Sequence, residues 1–195
     1  MNAIVEPVRV QPPSPVTVVG PATVVDAGLG GVHAPILPAA DPAVREGVLE
    51  IPGEMTLHHG GRLSGVRVAW RLIGPAGAPV VCALGGISAS RRVCLSDGEP
   101  RGSAESGWWS ELAGPGRPLD IHRLRVLSFD YLGGGGETTS PRDSQTFPSV
   151  SSYDQAELLL RLLNHLGIKA LRAIAGGSYG GMVALAFGER YPERA

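Results

Sequence analysis

Ile174-Ala175-Gly176-Gly177-Ser178-Tyr179-Gly180-Gly181 is the stretch whose reading decides the fold. Before it, Ala170 to Ala175 is apolar apart from Arg172, the composition of a parallel strand buried on both faces. After it, Tyr179 to Tyr191 carries the helix formers Met182, Ala184, Leu185 and Ala186, and Pro192 stops the run. The Gly-x-Ser-x-Gly between them therefore joins a strand to a helix. That is the setting of a nucleophile elbow, in which a serine sits on a strained turn with its Oγ clear of the backbone. Gly176 and Gly180 leave room for the strand and the helix to approach closely. The competing reading is a glycine-rich strand–helix turn in a nucleotide-binding sheet with Ser178 incidental; the flanking elements favour the elbow.

Composition sets the bounds. The chain has 195 residues, 17 basic and 18 acidic, with a formal net charge of −1. That length suits one domain, and the balance gives no basic surface for nucleic acid. Cys82 and Cys94 form no Cys-x-x-Cys pattern, so a reducing compartment and a cytoplasmic location are expected. No apolar run approaches the roughly 18 residues of a membrane span, and the N-terminus lacks the basic and apolar regions of a signal peptide. No metal site or cofactor is expected.

Residues 1–48 read as a flexible leader rich in Pro and Gly, and residues 49–195 as the folded part. Val16–Val19 and Val24-Val25 are candidates for a short strand in the leader. Glu54 to His58 alternates as a strand, Gly60-Gly61 turns, and Val66 to Ile73 returns. His58 and His59, adjacent on that strand, would point to opposite faces and share no metal. Gly74–Gly77 is a turn, and Pro79 to Leu84 is a buried central strand with Cys82 as a small core residue. Ile87 to Ser106 is polar and irregular, and Trp108-Trp109 reads as packing under a long loop. Arg125 to Tyr131 is a further strand, ending in Asp130 and the loop Gly133–Gly136. That loop lacks the Lys and Ser/Thr of a phosphate-binding P-loop. Ser152 and Gln155 read as a capping box. They open a helix with Ala156, Leu159, Leu160, Leu163 and Leu166 on one face and Gly167 at its end. His165 in the last turn suits the helix dipole better than catalysis. Strands, long loop, strand, helix, strand, elbow and helix in this order make the first half of an α/β-hydrolase sheet, mostly parallel and truncated after the elbow helix.

Several motifs coincide within this frame: Leu84-Gly85-Gly86-Ile87-Ser88, Gly107-Trp108-Trp109, Gly114-Pro115-Gly116, Leu132 to Thr139, the helix from Ser152 to Gly167, and Ala175 to Met182. Over about Leu49 to Ala195 the chain resembles the homoserine O-acyltransferases. The Gly85-Gly86-Ile87-Ser88 turn with Arg91-Arg92 behind it is most similar to the homoserine O-succinyltransferase branch. The resemblance implies a ping-pong acyl transfer in methionine biosynthesis: Ser178 takes an acyl group from acyl-CoA as co-substrate and passes it to the hydroxyl of L-homoserine. It implies an oxyanion hole made of the backbone N–H groups of Leu84 and Tyr179, and an acyl-selecting loop at Gly85, Gly86, Ile87 and Ser88. It also implies a homodimer in the full-length family. Arg92 is a candidate to meet a succinyl carboxylate, with a solvated arginine as the plainer reading.

The pattern departs from the family in one respect. In this fold the triad follows the order Ser, then Asp or Glu, then His, and none of His33, His58, His59, His122 and His165 is placed by sequence to reach Ser178. The expectation is an N-terminal half, incomplete and inactive alone, that pairs with a complementary C-terminal half. The alternatives are another α/β-hydrolase, such as an esterase or peptidase, and a non-catalytic interaction subunit.

Overall fold

The computed structural model describes residues 43–99, 107–143 and 146–195; the remaining residues, including most of the leader and its candidate strand, lie outside the described set. The central sheet contains β1 (Val44–Glu50), β4 (Arg67–Ile73), β5 (Val80–Leu84), β8 (Arg125–Phe129) and β9 (Ala173–Gly176) in the spatial order β1-β4-β8-β5-β9. β1 with β4 and β4 with β8 run antiparallel; β8 with β5 and β5 with β9 run parallel. A hairpin of β2 (Glu54–Thr56) and β3 (Arg62–Ser64) and a short pair of β6 (Ala113–Gly114) and β7 (Leu119–Asp120) stand apart from it. The helices are α1 (Ser152–His165) and α2 (Tyr179–Arg190).

The strand composition explains the order. β5 is buried throughout, and β4 from Val68 onward, as strands covered on both faces should be. β1 is mostly exposed and lies at an edge. Its sequence, Val-Arg-Glu-Gly-Val-Leu-Glu, gives little apolar signal, so the expected boundary at residue 48 is corrected: the sheet begins at Val44, registered against Ile73. Strand β4 then carries two partners, β1 and β8. Glu54–Thr56 pairs only within its own hairpin, and His58 and His59 lie in its turn rather than on a strand. Their rings sit 5.0 Å apart, so the opposite-face expectation fails. Among the described residues no group of His, Cys, Asp or Glu is arranged to hold a metal ion.

Two apolar layers flank the sheet. On one side Cys82, Leu84, Leu127 and Phe129 pack with Leu158, Leu159, Leu162 and Leu163 of α1 and with Val183 and Phe187 of α2. Each such leucine, fully buried, contributes about 1.5–3 kcal/mol by leaving water. On the other side Ala83, Val126, Ile73, Val93 and Cys94 pack under Trp108 and Trp109, whose rings stack at 5.0 Å. Successive β5 residues thus serve opposite layers, as the two-residue strand period requires. Cys82 and Cys94 are both free and buried; burial raises the Cys94 thiol to about 11. The capping box of α1 starts one residue earlier than the spacing indicated. Ser151 is the cap, and Asp154 returns the bond to its backbone N–H at 2.7 Å. Gln155 is freed for another role. No helix among the described residues is long and apolar enough to cross a membrane.

Candidate active site

Parallel strands β8, β5 and β9 all end at one rim of the sheet, and the loops that leave them build the site. Ser178 follows β9 directly. It has φ 54° and ψ −122° and is the single non-glycine residue with positive φ among those described. Such a conformation costs on the order of 1–3 kcal/mol and persists only where its surroundings enforce it. Here the enforcement is steric and hydrogen-bonded. A Cβ at Gly176 would lie 2.6 Å from the Gly180 carbonyl carbon, and one at Gly180 would lie 2.5 Å from the Leu84 carbonyl carbon. Gly177 N–H donates to Leu84 O at 3.0 Å, and Gly180 N–H donates to Gly85 O at 2.9 Å. The turn is clamped onto β5 and its side chain is left exposed to solvent. Ser178 also caps α2, so its Oγ stands in the positive end of the helix dipole.

An attacked carbonyl would develop negative charge beside Ser178, and donors must be aimed there. The Tyr179 N–H, at the first position of α2, has no acceptor among the described residues. The second expected donor, Leu84 N–H, is corrected. Leu84 is buried in β5, registered with Gly176, and its carbonyl accepts Gly177 N–H from the β9 side. The N–H and C=O of one extended residue point to the same neighbour, so the Leu84 N–H is directed into the ladder with β9. The residue that stands beside the nucleophile comes two residues later. A Cβ on Gly86 would meet only the Ser178 Cβ, at 4.0 Å. The N–H groups of Gly86 and Ile87 have no acceptor among the described residues.

The other expected residues divide. Ile87 is 70% exposed and lines a cavity of about 220 Å³ with Tyr131, Leu132, Phe147, Val150 and Tyr179. Ser88 lines a smaller adjoining cavity of about 110 Å³ against Asp130 and the Gly134–Gly136 loop. Gly85 underlies the loop, where a Cβ would meet Trp108 at 3.0 Å. Arg92 is turned to other charges: its guanidinium lies 3.5 Å from Glu99 and 3.9 Å from Glu46. Those carboxylates also pair with Arg71, which is buried in β4.

Three side chains that shape the site were not expected. Asp130 accepts the Arg91 backbone N–H at 2.6 Å and its guanidinium at 2.5 Å, which ties the loop after β5 to the end of β8. Tyr131 donates its hydroxyl to Gly85 O at 2.9 Å. Gln155, 1% exposed, accepts Leu132 N–H and donates to Leu132 O, each at 3.0 Å. A signal for Gln155 existed: it shares a helical face with Leu159, Leu162 and Leu163, and a polar residue on an apolar stripe needs buried partners. Tyr131 offered none.

The contacts of the described histidines lie elsewhere, with His59 against the His58 ring. His58 stacks on Tyr153 at 4.5 Å, His122 lies 2.7 Å from Asp97, and His165 packs on Trp70 at 6.3 Å. The described residues thus present an exposed, strained serine beside Gly86 and the Tyr179 N–H.

Comparison with known proteins agrees with this geometry. A family profile described as alpha/beta hydrolase fold matches residues 81–195. A homoserine O-succinyltransferase of Xanthomonas campestris pv. campestris is 39% identical over 162 residues, covering 80% of this chain and 39% of that protein. A homoserine O-acetyltransferase of Methanococcoides burtonii is 35% identical over 159 residues, covering 73% of this chain and 31% of that one. The chain therefore spans less than half the length of these relatives. Among solved structures, esterase E22 superposes with a TM-score of 0.68 at 26% identity, covering 78% of this chain and 46% of that one. The homoserine O-acetyltransferase of Bacillus anthracis, at 24% identity and a TM-score of 0.67 over 78% of this chain and 44% of that one, shares the fold. With a strained serine between β9 and α2, parallel strands leading to it and a profile match over more than half its residues, the chain belongs to the α/β-hydrolase family.

Proposed function

We propose that this chain carries the nucleophile half of a homoserine O-acyltransferase. The observation that carries the reading is Ser178, exposed at φ 54° beside Gly86 and the Tyr179 N–H, in a chain similar to relatives named homoserine O-succinyltransferase and O-acetyltransferase. Ser178 Oγ attacks the thioester carbonyl of an acyl-CoA while a general base takes its proton. The Tyr179 N–H and the Gly86 or Ile87 N–H hold the oxyanion. The C–S bond breaks, the thiolate leaves with the proton returned by the base, and the acyl group stays on Ser178. The homoserine hydroxyl then attacks the acyl ester, its proton passes to the base, and Ser178 Oγ leaves to be reprotonated. Losing one oxyanion donor costs about 3 kcal/mol in such a step.

The base and its acid follow the nucleophile in this fold. We assign them to sequence of the kind that the longer relatives carry beyond the matched region, in the same polypeptide or in a complementary one, within a homodimer. No cofactor is required. Succinyl-CoA is the preferred donor on the strength of the Gly85-Gly86-Ile87-Ser88 turn. Arg92 would have to release Glu99 to reach a succinyl carboxylate, which weighs against that role. The shape shared with esterase E22 supports a second reading, simple ester hydrolysis. Release of CoA from succinyl-CoA and acetyl-CoA, with and without homoserine, separates them. Homoserine-dependent release is expected; release indifferent to homoserine points to the hydrolase.

A further inference from the structure

The Gly85 carbonyl oxygen accepts two hydrogen bonds, from Gly180 N–H at 2.9 Å and from the Tyr131 hydroxyl at 2.9 Å. That carbonyl and the Gly86 N–H belong to one planar trans peptide unit and point in opposite directions. Fixing the carbonyl therefore fixes the aim of an N–H that stands beside Ser178. Tyr131 is itself held: it is 3% exposed, and its ring meets Tyr179 edge-on at 5.0 Å and Phe129 at 5.7 Å.

The next residue, Leu132, has both backbone groups taken up by Gln155. Its amide oxygen and its NH₂ are each used there once. Burial raises the Tyr131 hydroxyl above the ordinary tyrosine range, so it remains a donor throughout the working range of pH. One buried polar group thus holds the backbone of the residue that follows Tyr131. Buried hydrogen bonds of this kind rigidify what they connect.

We infer that Tyr131 and Gln155 are positioning residues for the oxyanion hole, Tyr131 acting through the Gly85–Gly86 peptide and Gln155 through the backbone of Leu132, next to Tyr131. The inference rests on Ser178 being the nucleophile and not on which acceptor receives the acyl group.

The test is Tyr131→Phe, which removes one hydroxyl and keeps the ring, in the protein assembled with the part that supplies the base. Acylation of Ser178 by p-nitrophenyl acetate is followed by the nitrophenol burst. The expected result is a fall of about tenfold in the acylation rate constant, with the KM for the ester within about twofold of wild type, because the loss is felt in the transition state alone. Tyr191→Phe is the control: it removes an equivalent phenol bond, to Glu157 at 2.6 Å, and leaves the rate unchanged. Tyr131→Phe acylating within twofold of wild type overturns the inference, as does an equal loss in the control. If Tyr131→Phe fails to fold, Gln155→Met takes its place by cutting both bonds to Leu132; a fall of about threefold is expected and an unchanged rate overturns the inference. Homoserine-dependent CoA release is measured alongside. Its absence with ester acylation intact refutes the proposed acceptor and leaves the positioning standing. Absence of any Ser178 acylation in the wild type overturns both.

Discussion

Gly180 and Gly188 both lie in α2, and the same substitution to alanine should act on them with opposite sign. Replacing glycine by alanine within a helix gains about 1 kcal/mol in propensity. At Gly188 nothing lies within 4 Å of the added Cβ, so that gain is kept. At Gly180 the Cβ would lie 2.5 Å from the Leu84 carbonyl carbon and 2.7 Å from Gly85 O. Those are backbone atoms of β5 and the loop beyond it, and they cannot swing aside as a side-chain tip would. Overpacking costs about 1–3 kcal/mol, and the rigid obstacle places this case at the upper end. The net expectation is a loss of about 2 kcal/mol for Gly180→Ala against a gain of about 1 kcal/mol for Gly188→Ala. In a domain of this size that is a fall of roughly 4–8 °C in Tm against a rise of roughly 2–4 °C. Relief of the clash by separating α2 from the Gly85–Gly86 loop would also misplace the oxyanion donors by a fraction of an ångström to about 1 Å, a shift that costs up to about 10²-fold in rate. Urea denaturation and thermal melting of both variants measure the first effect, and acylation kinetics the second. A Gly180→Ala protein as stable as Gly188→Ala would refute the claim that close approach at the elbow requires glycine.

Other outcomes follow from the packing and the charges. Partial burial pushes the Glu99 carboxyl up, but bonds from Arg71 and Ser96 outweigh it and hold the group below the usual carboxylate range. Its contribution to stability is therefore present above the unfolded-state pKa and lost as pH falls through the lowered native value. Melting from pH 7 to pH 3 should show this acid limb flattened in Glu99→Gln, and an unaltered limb would sink the assignment. Because burial holds Cys94 near 11 and raises Cys82 further, neither thiol should react appreciably with a disulfide reagent at pH 8 in the native protein. Rapid release of one equivalent would show that the layer under the tryptophans is open. Met182 and Leu185 are 60% and 77% exposed on α2, beside β9, whose outer edge has no partner among the described residues. An apolar face next to an open edge invites association. A polypeptide of residues 1–195 alone should elute above its monomer mass of 20.2 kDa, and Met182→Lys with Leu185→Lys should lower that tendency. A clean monomer in both would count against it.

How much was legible in the sequence depends on where each residue's partners lie. The elbow was readable because its constraints are local: strand, glycines, serine, glycine and helix are contiguous, and Ser178 is strained as that order requires. β5 and α1 were readable because each buries a continuous apolar face. β1 was not, since an edge strand with alternating polar residues needs no apolar run; its partner β4 defines it. Local sequence puts the oxyanion loop two or three residues too early, at Leu84 in place of Gly86 or Ile87. The chain leaves the ladder after Leu84, and only the register of Leu84 against Gly176 shows that its N–H is already committed. Gln155 reads as a capping residue because Ser152 stands three residues before it, whereas Ser151 and Asp154 fill that role. The bonds that give Gln155 and Tyr131 their purpose span 23 and 46 residues, beyond the reach of any local pattern.

The central claim is that Ser178 carries the acyl group between a CoA thioester and homoserine. The measurement that tests it most directly is peptide mass spectrometry of the assembled protein after a brief incubation with succinyl-CoA or acetyl-CoA, without homoserine and then with it. The account predicts a succinyl or acetyl adduct on the peptide containing Ser178, absent in Ser178→Ala, which disappears when homoserine is added as O-acyl-homoserine forms. An acyl product made without any adduct, or one made equally well by Ser178→Ala, would contradict it.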